Sequence, residues 1–520
     1  MSPLDAPSAP RLGEMLELFF AEHPQLTMVE DGKAIFYFSG ATGAHYSLSD
    51  EHGRCVLQVW SDERNVVRRV TRVERKSGRL RLWVLRFGQM KPTLMELCPQ
   101  NESRSPSTRK AERARYQSLL GRLAARDFPG WQLNRLTAAA DLEYSFGPAY
   151  VRGLMKLGRR YFALLGVAAE ESQATVDGSV SVAILWLDYC RQRVGDKGLV
   201  EGVALYLPTG RAAAAQLRLS YLDRDAAHWR LLEVDEDTES TREVECVPAA
   251  NFQTRLVRCA DEKAACARFQ KSLEAMKQIA PRAEVVVLST AEISFRIEGL
   301  EFARAEAAAD TGFRVAERII FGAAPAEYEL NPQTEPLLRE LVRQLTENRT
   351  QRQRLHPFYR MASESWLESV VRRELGRLDE RLDPAWVYEQ VPAFSSGDRA
   401  MIDLLGITRD GRLAVIELKA DEDLHLAMQG LDYWARVRWH HRRNEFRQFG
   451  YFAGRELSPL DPILLLAAPA LHVHTATDTL LRHLSPEIDW RLIALDEHWR
   501  DGLRVIWRKG PTDANPGTRA

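Results

Sequence analysis

The sequence predicts a multidomain α/β protein, and three observations lead to this class. The chain has 520 residues, which favours about two to four domains over one. Its composition, with 45% hydrophobic and 28% charged residues, is typical of a globular protein with a buried core. Strand and helix patterns alternate in two stretches, residues 162–244 and residues 402–497.

The first part of the chain, residues 1–245, is predicted to be an α/β region. Up to about Gln100, short segments rich in β-branched and aromatic residues, such as KAIFYFSG and LRLWVLRFG, predict strands. The polar and then basic segment 99–115 predicts a loop that leads into a helix. Helical and strand patterns then alternate as far as Val244.

The middle of the chain, residues 246–350, is rich in Ala, Glu and Arg. We expect this region to be mostly helical around one apolar strand at 283–289, and to end in an amphipathic helix and a basic linker. The next unit is predicted to span residues 355–510. Residues 511–520, which are polar and rich in Pro and Gly, predict a disordered tail.

The segment IDLLGITRDGRLAVIELK, residues 402–419, predicts a β-hairpin that carries charges inside apolar strands. Asp-Gly marks the turn, and apolar runs flank it. Alternate residues of a strand share a face, so Glu417 and Lys419 lie together, while Asp403 lies on the first strand. Burying such charges is costly without compensation. The hairpin alone leaves open whether the compensation is a structural ion pair with Lys419 or a divalent cation held by both carboxylates.

Two flanking helices add polar residues at helical spacing. Glu364 and Glu368, in SESWLESVV, lie on one face of a helix before the hairpin. Gln429 and Tyr433, in MQGLDYW, lie on one face of a helix after it. A cation site therefore becomes the favoured interpretation of the hairpin.

This ordered set of residues resembles the PD-(D/E)XK nuclease superfamily: a helix Glu, a strand Asp, Glu-x-Lys on the next strand, then Gln-x-x-x-Tyr. The Gln and Tyr mark its RecB-like branch, and IDLLGITRDGRLAVIELKA is most similar to the nuclease domain of the NucS endonucleases. The resemblance covers residues 355–509, under a third of the chain. Ile402 stands where the family's name-giving proline would be, and that proline does no chemistry.

The resemblance implies a mixed sheet flanked by helices and a catalytic role for each matched residue. Asp403 and Glu417 would bind Mg²⁺ or Mn²⁺, and a helix acid, Glu368 rather than Glu364, would assist them. Lys419 would act on the attacking water. The remaining two catalytic residues, Gln429 and Tyr433, would position the DNA or the scissile phosphate.

The segment after Tyr433, YWARVRWHHRRNEFR, mixes aromatic residues with arginines. Such a mixture suits a groove that follows phosphates and stacks bases. An ordinary helix with its aromatic residues in the core and its arginines in solvent is the alternative. The predicted nucleic-acid-binding residues are Arg436, Arg438, Arg442 and Arg443.

The N-terminal half contains segments that resemble those of the C-terminal half. GRLRLWVLR, LDYCRQRV and WRLLEVDE follow one another in the same order as GRLAVIELK, LDYWARVR and WRLIALDE. Pro208 and Trp229 are 21 residues apart, as are Pro469 and Trp490. We hypothesise a degenerate nuclease-like copy that serves in substrate binding or dimer-like pairing; chance matches are the alternative. The substitutions would be Val84 for Glu417, Arg86 for Lys419, Leu185 for Gln429 and Val70 for Asp403.

Several classes of protein are disfavoured by the sequence. No apolar run is long enough to span a bilayer, and no secretory signal is visible, so we expect a cytoplasmic protein without membrane partners. The six cysteines form no CxxC pair, which argues against a zinc ribbon. The absence of GxxxxGK[ST] disfavours a phosphate-binding NTPase. With a net charge of −1, any contact with nucleic acid depends on local patches.

The sequence thus predicts a Mg²⁺- or Mn²⁺-dependent DNA nuclease that acts in DNA repair or in defence. RNA stays open as a substrate, and a second copy of the chain is a candidate partner. The alternative is a protein of nuclease fold that binds nucleic acid, or serves as a scaffold, without cutting.

Overall fold

The structure is a computed structural model. It describes residues 9–23, 25–30, 33–39, 44–51, 54–60, 65–76, 79–85, 92–99, 106–134, 136–139, 141, 146–247, 254–309, 315–322, 327–395 and 398–511. The chain divides into two compact units, one of Met1–Glu112 with Ile320–Leu338 and one of Arg113–Ile319 with Arg339–Ala520. The domain bounds expected from the sequence stay predictions, and the expected disordered tail lies, except for Pro511, outside the described residues.

The first unit contains a seven-stranded antiparallel sheet in the order β2-β1-β7-β6-β5-β4-β3. One face of the sheet packs against α1, where Leu16 and Phe19 lie in a core with Leu57 and Leu82. The elements are α1 (Ala9–Glu22), β1 (Gln25–Glu30), β2 (Lys33–Ser39), β3 (His45–Glu51), β4 (Arg54–Trp60), β5 (Asn65–Lys76), β6 (Arg79–Leu85) and β7 (Thr93–Pro99).

The second unit, which begins at Arg113 within helix α2 (Pro106–Asp127), starts with a mixed α/β layer. Its six-stranded sheet has the order β13-β12-β11-β10-β9-β8, in which β10, β11 and β12 run parallel and the other neighbours antiparallel. The elements are α2 (Pro106–Asp127), β8 (Gln132–Leu133), β9 (Tyr150–Leu157), β10 (Arg160–Val167), α3 (Gln173–Val194), β11 (Leu199–Pro208), α4 (Ala213–Ser220), β12 (His228–Asp235) and β13 (Ser240–Val244).

The middle region differs from its expected, mostly helical content, because strands β15 to β18 lie there as well. Alanines and charged residues in LEFARAEAAA favour a helix locally, yet β17 pairs antiparallel with β16 along its length. The elements are β14 (Thr254–Leu256), α5 (Glu262–Arg268), α6 (Gln270–Ile279), β15 (Glu284–Ser289), β16 (Glu292–Ile297), β17 (Leu300–Ala309), β18 (Val315–Phe321), β19 (Tyr328–Glu329) and α7 (Glu335–Asn348).

The C-terminal part of the second unit forms a seven-stranded mixed sheet in the order β14-β20-β21-β22-β23-β24-β25. Strands β22, β23 and β24 run parallel, and the remaining pairs are antiparallel. The elements are α8 (Pro357–Arg360), α9 (Ser363–Arg373), α10 (Leu375–Leu378), β20 (Leu382–Ser395), β21 (Asp398–Thr408), β22 (Leu413–Leu418), α11 (Leu426–Arg442), α12 (Glu445–Gln448), β23 (Ile463–Pro469), α13 (Thr477–Arg482), β24 (Trp490–Leu495) and β25 (Val505–Lys509).

One hydrophobic core joins the two mixed sheets of the second unit. It contains Val180 and Leu187 of α3 together with Leu431 and Trp434 of α11, so both helices lie between the sheets. The opposite face of β22 packs on α9 through a separate core that includes Trp366, Leu367 and Ile416. The C-terminal mixed sheet is therefore covered on both faces, which explains its nearly continuous apolar strands. The α/β class predicted from the sequence is confirmed.

The proposed repeat needs a correction. Residues 79–85 of the segment GRLRLWVLR form β6, which belongs to the antiparallel sheet of the first unit, so its match to β22 is wrong. Arg86, expected at the place of Lys419, lies outside the described residues. Strand-forming segments after Gly-Arg-Leu are too common to identify a topological position. The strand that holds the place of β22 in the other mixed sheet is β10, which follows an antiparallel neighbour and precedes two parallel ones.

In the described part of the chain, no helix has both the length and the apolar character needed to cross a bilayer.

Candidate active site

Strands β21 and β22 bring together three of the predicted site residues. Gly411, at φ 85°, adopts the left-handed conformation that the connecting turn needs. Leu404 pairs with Ile416 and Leu405 with Val415, so the next step of this register sets Asp403 beside Glu417. The predicted hairpin is confirmed, with both acids inside its sheet.

Glu417 is almost fully buried. Its side chain lies beneath α11, and only 1% of the residue is exposed. Burial raises the pKa of Glu417 well above its usual range, and the neighbouring Asp403 raises it further. Its Oε2 atom accepts no hydrogen bond from any described residue. The site therefore holds a carboxyl oxygen without a partner in an apolar setting.

Asp403 is held by the backbone of the next strand. Its Oδ2 accepts a hydrogen bond from the Leu418 N–H at 2.8 Å. Burial raises the pKa of Asp403 to about 6, although the Leu418 N–H and the Lys419 ammonium both favour the charged form. The two adjacent acids thus compete for charge, which a bound cation would relieve.

Lys419 extends toward the acids from the end of β22. Its Nζ lies 3.5 Å from Glu417 Oε1 and 3.5 Å from Glu364 Oε1. Burial alone would lower the pKa of Lys419, but Glu417, Glu364 and Asp403 outweigh burial and raise it. Lys419 is therefore an ammonium ion directed at the carboxylates.

Helix α9 contributes both candidate helix acids in different ways. Glu368 is buried, with 5% exposure, whereas the Glu364 side chain is 56% exposed and contacts Lys419. Burial raises the pKa of Glu368 to about 8, and the nearby Glu389 and Asp403 add to the effect. The Glu368 Oε1 atom has no hydrogen-bond partner among the described residues. Both acids thus border the hairpin, and the preference for Glu368 stays a prediction.

Sequence reasoning missed two residues of β20 at this site. Glu389 is buried between Arg372 Nε at 2.6 Å and Arg296 Nη1 at 3.3 Å. Gln390 adopts φ 45°, which is unusual for a residue other than glycine, and its Nε2 donates to Glu368 Oε2 at 3.4 Å. The only available signal was a charged residue inside the apolar strand WVYEQV, the same signal that identified Asp403.

Helix α11 crosses over Glu417 at close range because Gly430 faces the sheet. A Cβ at Gly430 would come within 2.4 Å of Leu466 Cδ2, and Glu417 Cβ would lie 3.7 Å from it. Gln429 and Tyr433 lie on the adjoining part of this helix, and Gln429 Oε1 is a further buried oxygen without a described partner. Burial raises the pKa of Tyr433, with added contributions from Glu417 and Asp403, so its hydroxyl stays protonated.

The predicted nucleic-acid-binding arginines have mostly internal partners. Arg438 is buried and donates to Asp461 at 2.8 Å, and the same acid accepts from Arg442. Arg443 pairs with Glu445 at 2.8 Å. Arg436 lies beside the Tyr433 ring, 5.9 Å from its centroid, and so is the member of the four that borders the site residues.

The site offers oxygen donors, an ammonium group and a polar helix face. The unpartnered oxygens of Glu368, Glu417 and Gln429 are the kind of ligand that Mg²⁺ prefers. Within the described ranges, no group of three or more His, Cys, Asp or Glu side chains is arranged as a complete metal site. A cation there would therefore depend on two carboxylates and on water or substrate oxygens for its other ligands.

Fold and site together define a mixed α/β protein with a buried carboxylate and lysine site on one sheet. No family model matches this chain, and no curated protein matches it at a significant level.

Proposed function

We propose that this protein is a metal-dependent nuclease that hydrolyses phosphodiester bonds in DNA, with a PD-(D/E)XK domain at residues 355–510. The observation that supports this function most directly is the position of Asp403, Glu417 and Lys419 on one hairpin. The fully buried Glu417 lies beside the partly buried Asp403 there, and Lys419 Nζ is 3.5 Å from Glu417 Oε1. Burial of this pair of carboxylates is costly unless a cation joins them. The order of these residues along the chain is the order of the family motif.

The topology of the C-terminal sheet supports the same function. An antiparallel pair, β21 and β22, precedes the parallel strands β23 and β24, while α9 and α11 cover opposite faces. This arrangement places the end of β22 between the two helices that carry Glu368 and Gln429. A mixed sheet flanked by helices is also what the family resemblance implies.

The residues present fit a divalent cation. Asp403 and Glu417 would hold it, with water or substrate oxygens as its other ligands. Glu368 would assist from α9 without being a direct ligand, since its buried Oε1 has no described partner. Mg²⁺ or Mn²⁺, when bound, lowers the pKa of a water molecule and neutralises charge on the phosphate.

The chain's own residues would do the remaining work. Lys419, held as an ammonium ion by the surrounding acids, would orient the attacking water and stabilise negative charge at the phosphate. The protonated Tyr433 hydroxyl and the Gln429 amide would donate hydrogen bonds that position the scissile group.

The test is cleavage of labelled single-stranded, duplex and branched DNA with Mg²⁺ or Mn²⁺. We expect cutting that EDTA abolishes and that Glu417→Gln reduces by at least about 100-fold, because the variant keeps the shape of the side chain but loses its charge. RNA of the same sequence serves as a parallel substrate. Cutting that survives both EDTA and Glu417→Gln would exclude this site as its source.

The ion pair between Lys419 and Glu417, at 3.5 Å, favours one second candidate, a binding scaffold whose charges are structural. Lys419→Met separates the two functions. For the nuclease, we expect cleavage to fall by about 100-fold or more while Mn²⁺ binding persists, since Lys419 is not a metal ligand. For the scaffold, no cleavage exists to lose, and DNA binding is the same for the wild type and Glu417→Gln.

A further inference from the structure

The two mixed sheets of the second unit share one topology. In the N-terminal sheet, helices α3 and α4 connect the parallel strands β10, β11 and β12, and β13 closes the edge antiparallel. In the C-terminal sheet, α11 and α13 lie between β22, β23 and β24, and β25 closes the edge antiparallel. Each parallel set follows an antiparallel neighbour, β9 or β21.

The strand registers align the two sheets residue by residue. Val203 pairs with Trp229 as Leu464 pairs with Trp490, and Pro208 pairs with Val234 as Pro469 pairs with Leu495. On this alignment Leu205 corresponds to Leu466. The residue that pairs with Leu205 is Leu165, and the residue that pairs with Leu466 is Glu417. Leu165 therefore holds the place of Glu417, and Val167, two positions later, holds that of Lys419.

The place of Asp403 is taken by an arginine. Arg152 pairs with Leu165 across β9 and β10, as Asp403 lies beside Glu417 across β21 and β22. Arg152 is 2% exposed, and its guanidinium lies 4.5 Å from the Phe146 ring centroid and 5.5 Å from that of Trp186. The guanidinium cation of Arg152 thus occupies the position at which the other sheet has Asp403, the proposed metal ligand.

The helix above Arg152 is changed as well. The match of LDYC in α3 to LDYW in α11 sets Leu185 at the place of Gln429 and Trp186 at the place of Gly430. Where Gly430 leaves α11 close to Glu417, the indole of Trp186 covers the position and donates to the Gly153 carbonyl at 2.9 Å. On this helix the N-terminal copy thus has an apolar Leu185 in place of Gln429, while Tyr189 matches Tyr433.

The contact between the copies is reciprocal. The Asp223 N–H donates to the His483 carbonyl at 2.8 Å, and the Ser485 N–H donates to the Tyr221 carbonyl at 2.8 Å. Leu222 and Leu484 form an antiparallel bridge between these bonds. Equivalent segments thus meet each other, which is the signature of an interface with two-fold symmetry.

We propose that the second unit is an internal pseudo-dimer with one reaction centre, so that one chain binds one catalytic divalent ion and cuts one strand of a duplex per encounter. This inference rests on the proposed nuclease function. A symmetric dimer of the C-terminal copy would carry two centres and could cut both strands. Here Arg152, Leu165 and Val167 leave the second centre without carboxylates on either strand.

Two measurements on the full chain test the proposal. Mn²⁺ alone is titrated and free ion is followed by its electron paramagnetic resonance signal; we expect one bound ion per chain in the wild type and none in Glu417→Gln. Supercoiled plasmid is then incubated with excess protein and Mg²⁺. We expect nicked circles to accumulate first and linear product to appear only after a lag.

The possible failures are distinguishable. Two equivalent ions per chain, or linear plasmid formed without a nicked intermediate, would overturn the single centre and leave the nuclease intact. One ion lost in Glu417→Gln without cutting of any substrate would overturn the nuclease and support the single centre. No bound ion together with no cutting would overturn both.

Discussion

At the scale of single residues, the site is expected to destabilise the metal-free fold. Burial raises the pKa of Glu368 to about 8, far above the value of about 4.3 of a free Glu side chain. Between these values the folded state binds the proton more tightly, so its stability is greatest at low pH and falls as the pH rises through this window. The glutamine in Glu368→Gln stays neutral, so this variant does not lose stability as the pH rises.

We therefore expect Glu368→Gln to increase the free energy of unfolding at pH 8 in EDTA by about 1–4 kcal/mol. This gain should raise the melting temperature by a few degrees. At pH 5, where the wild-type side chain is protonated, the two proteins should melt alike. Glu364→Gln is the matched control, because that side chain is 56% exposed and should show little effect. Equal melting of wild type and Glu368→Gln at pH 8 would show that Glu368 is not buried as described.

The residue scale also shows what sequence patterns can locate. Charges inside an alternating apolar strand identified Asp403, Glu417 and Lys419, because strand periodicity fixes which side chains share a face. Glu389 was not predicted, because its strand, β20, carries no recognised motif. For Arg438, charge alone could not tell a solvent-facing guanidinium from one paired with Asp461, an acid 23 residues away.

At the scale of elements, the approach of α11 to the sheet decides the site's geometry. Glycine inside a helix costs about 1 kcal/mol relative to alanine, so Gly430 must be retained for packing. Leu464 and Leu466 below it are fully buried, so their methyl groups could give way only by repacking within the core. We expect Gly430→Ala to destabilise the protein by about 1–3 kcal/mol and to lower cleavage, by displacing α11 from Glu417.

Urea unfolding and cleavage assays would measure both effects. Gly376→Ala in α10 is the control, because its added Cβ would meet only Pro384 Cγ at 4.0 Å. That change should be neutral or stabilise by up to about 1 kcal/mol. An equally stable and active Gly430→Ala protein would contradict the close approach.

Elements were predictable where local signals and tertiary pairing agree. The Asp-Gly turn and the apolar runs around it identified the β21–β22 hairpin, and i, i+4 spacing identified α9 and α11. Strand β17 was missed because alanine and glutamate favour helices, and only its pairing with β16 forces it into a sheet.

At the scale of the whole molecule, the internal repeat stays a prediction, and one of the strands assigned to it was wrongly chosen. Similar strings of letters identified α3 with α11 and β12 with β24. The choice of β6 failed because short apolar strands resemble one another, while sheet membership depends on pairing between distant segments. The registers around Trp229 and Trp490 supply that information, which a single sequence does not contain.

The two mixed sheets of the second unit are also connected through a buried ion pair between α4 and α11. Arg218 donates two hydrogen bonds to Asp432, at 3.0 and 2.8 Å, and the side chains are 8% and 15% exposed. Removing one partner leaves the other charge buried without compensation, which typically costs 3–5 kcal/mol, whereas replacing both by apolar residues removes that penalty.

We accordingly expect Arg218→Met to lower the free energy of unfolding by about 3–5 kcal/mol, and Arg218→Met with Asp432→Leu to recover most of it. Urea unfolding of Arg218→Met, of Asp432→Leu and of the double variant gives the coupling energy. Arg343→Met, which breaks an ion pair with Glu347 that is about half exposed, is the control and should change stability little. If the single and double variants were equally destabilised, the pair would not couple the copies. Recovery in the double variant would instead show that the loss in Arg218→Met comes from leaving the Asp432 carboxylate buried without its partner.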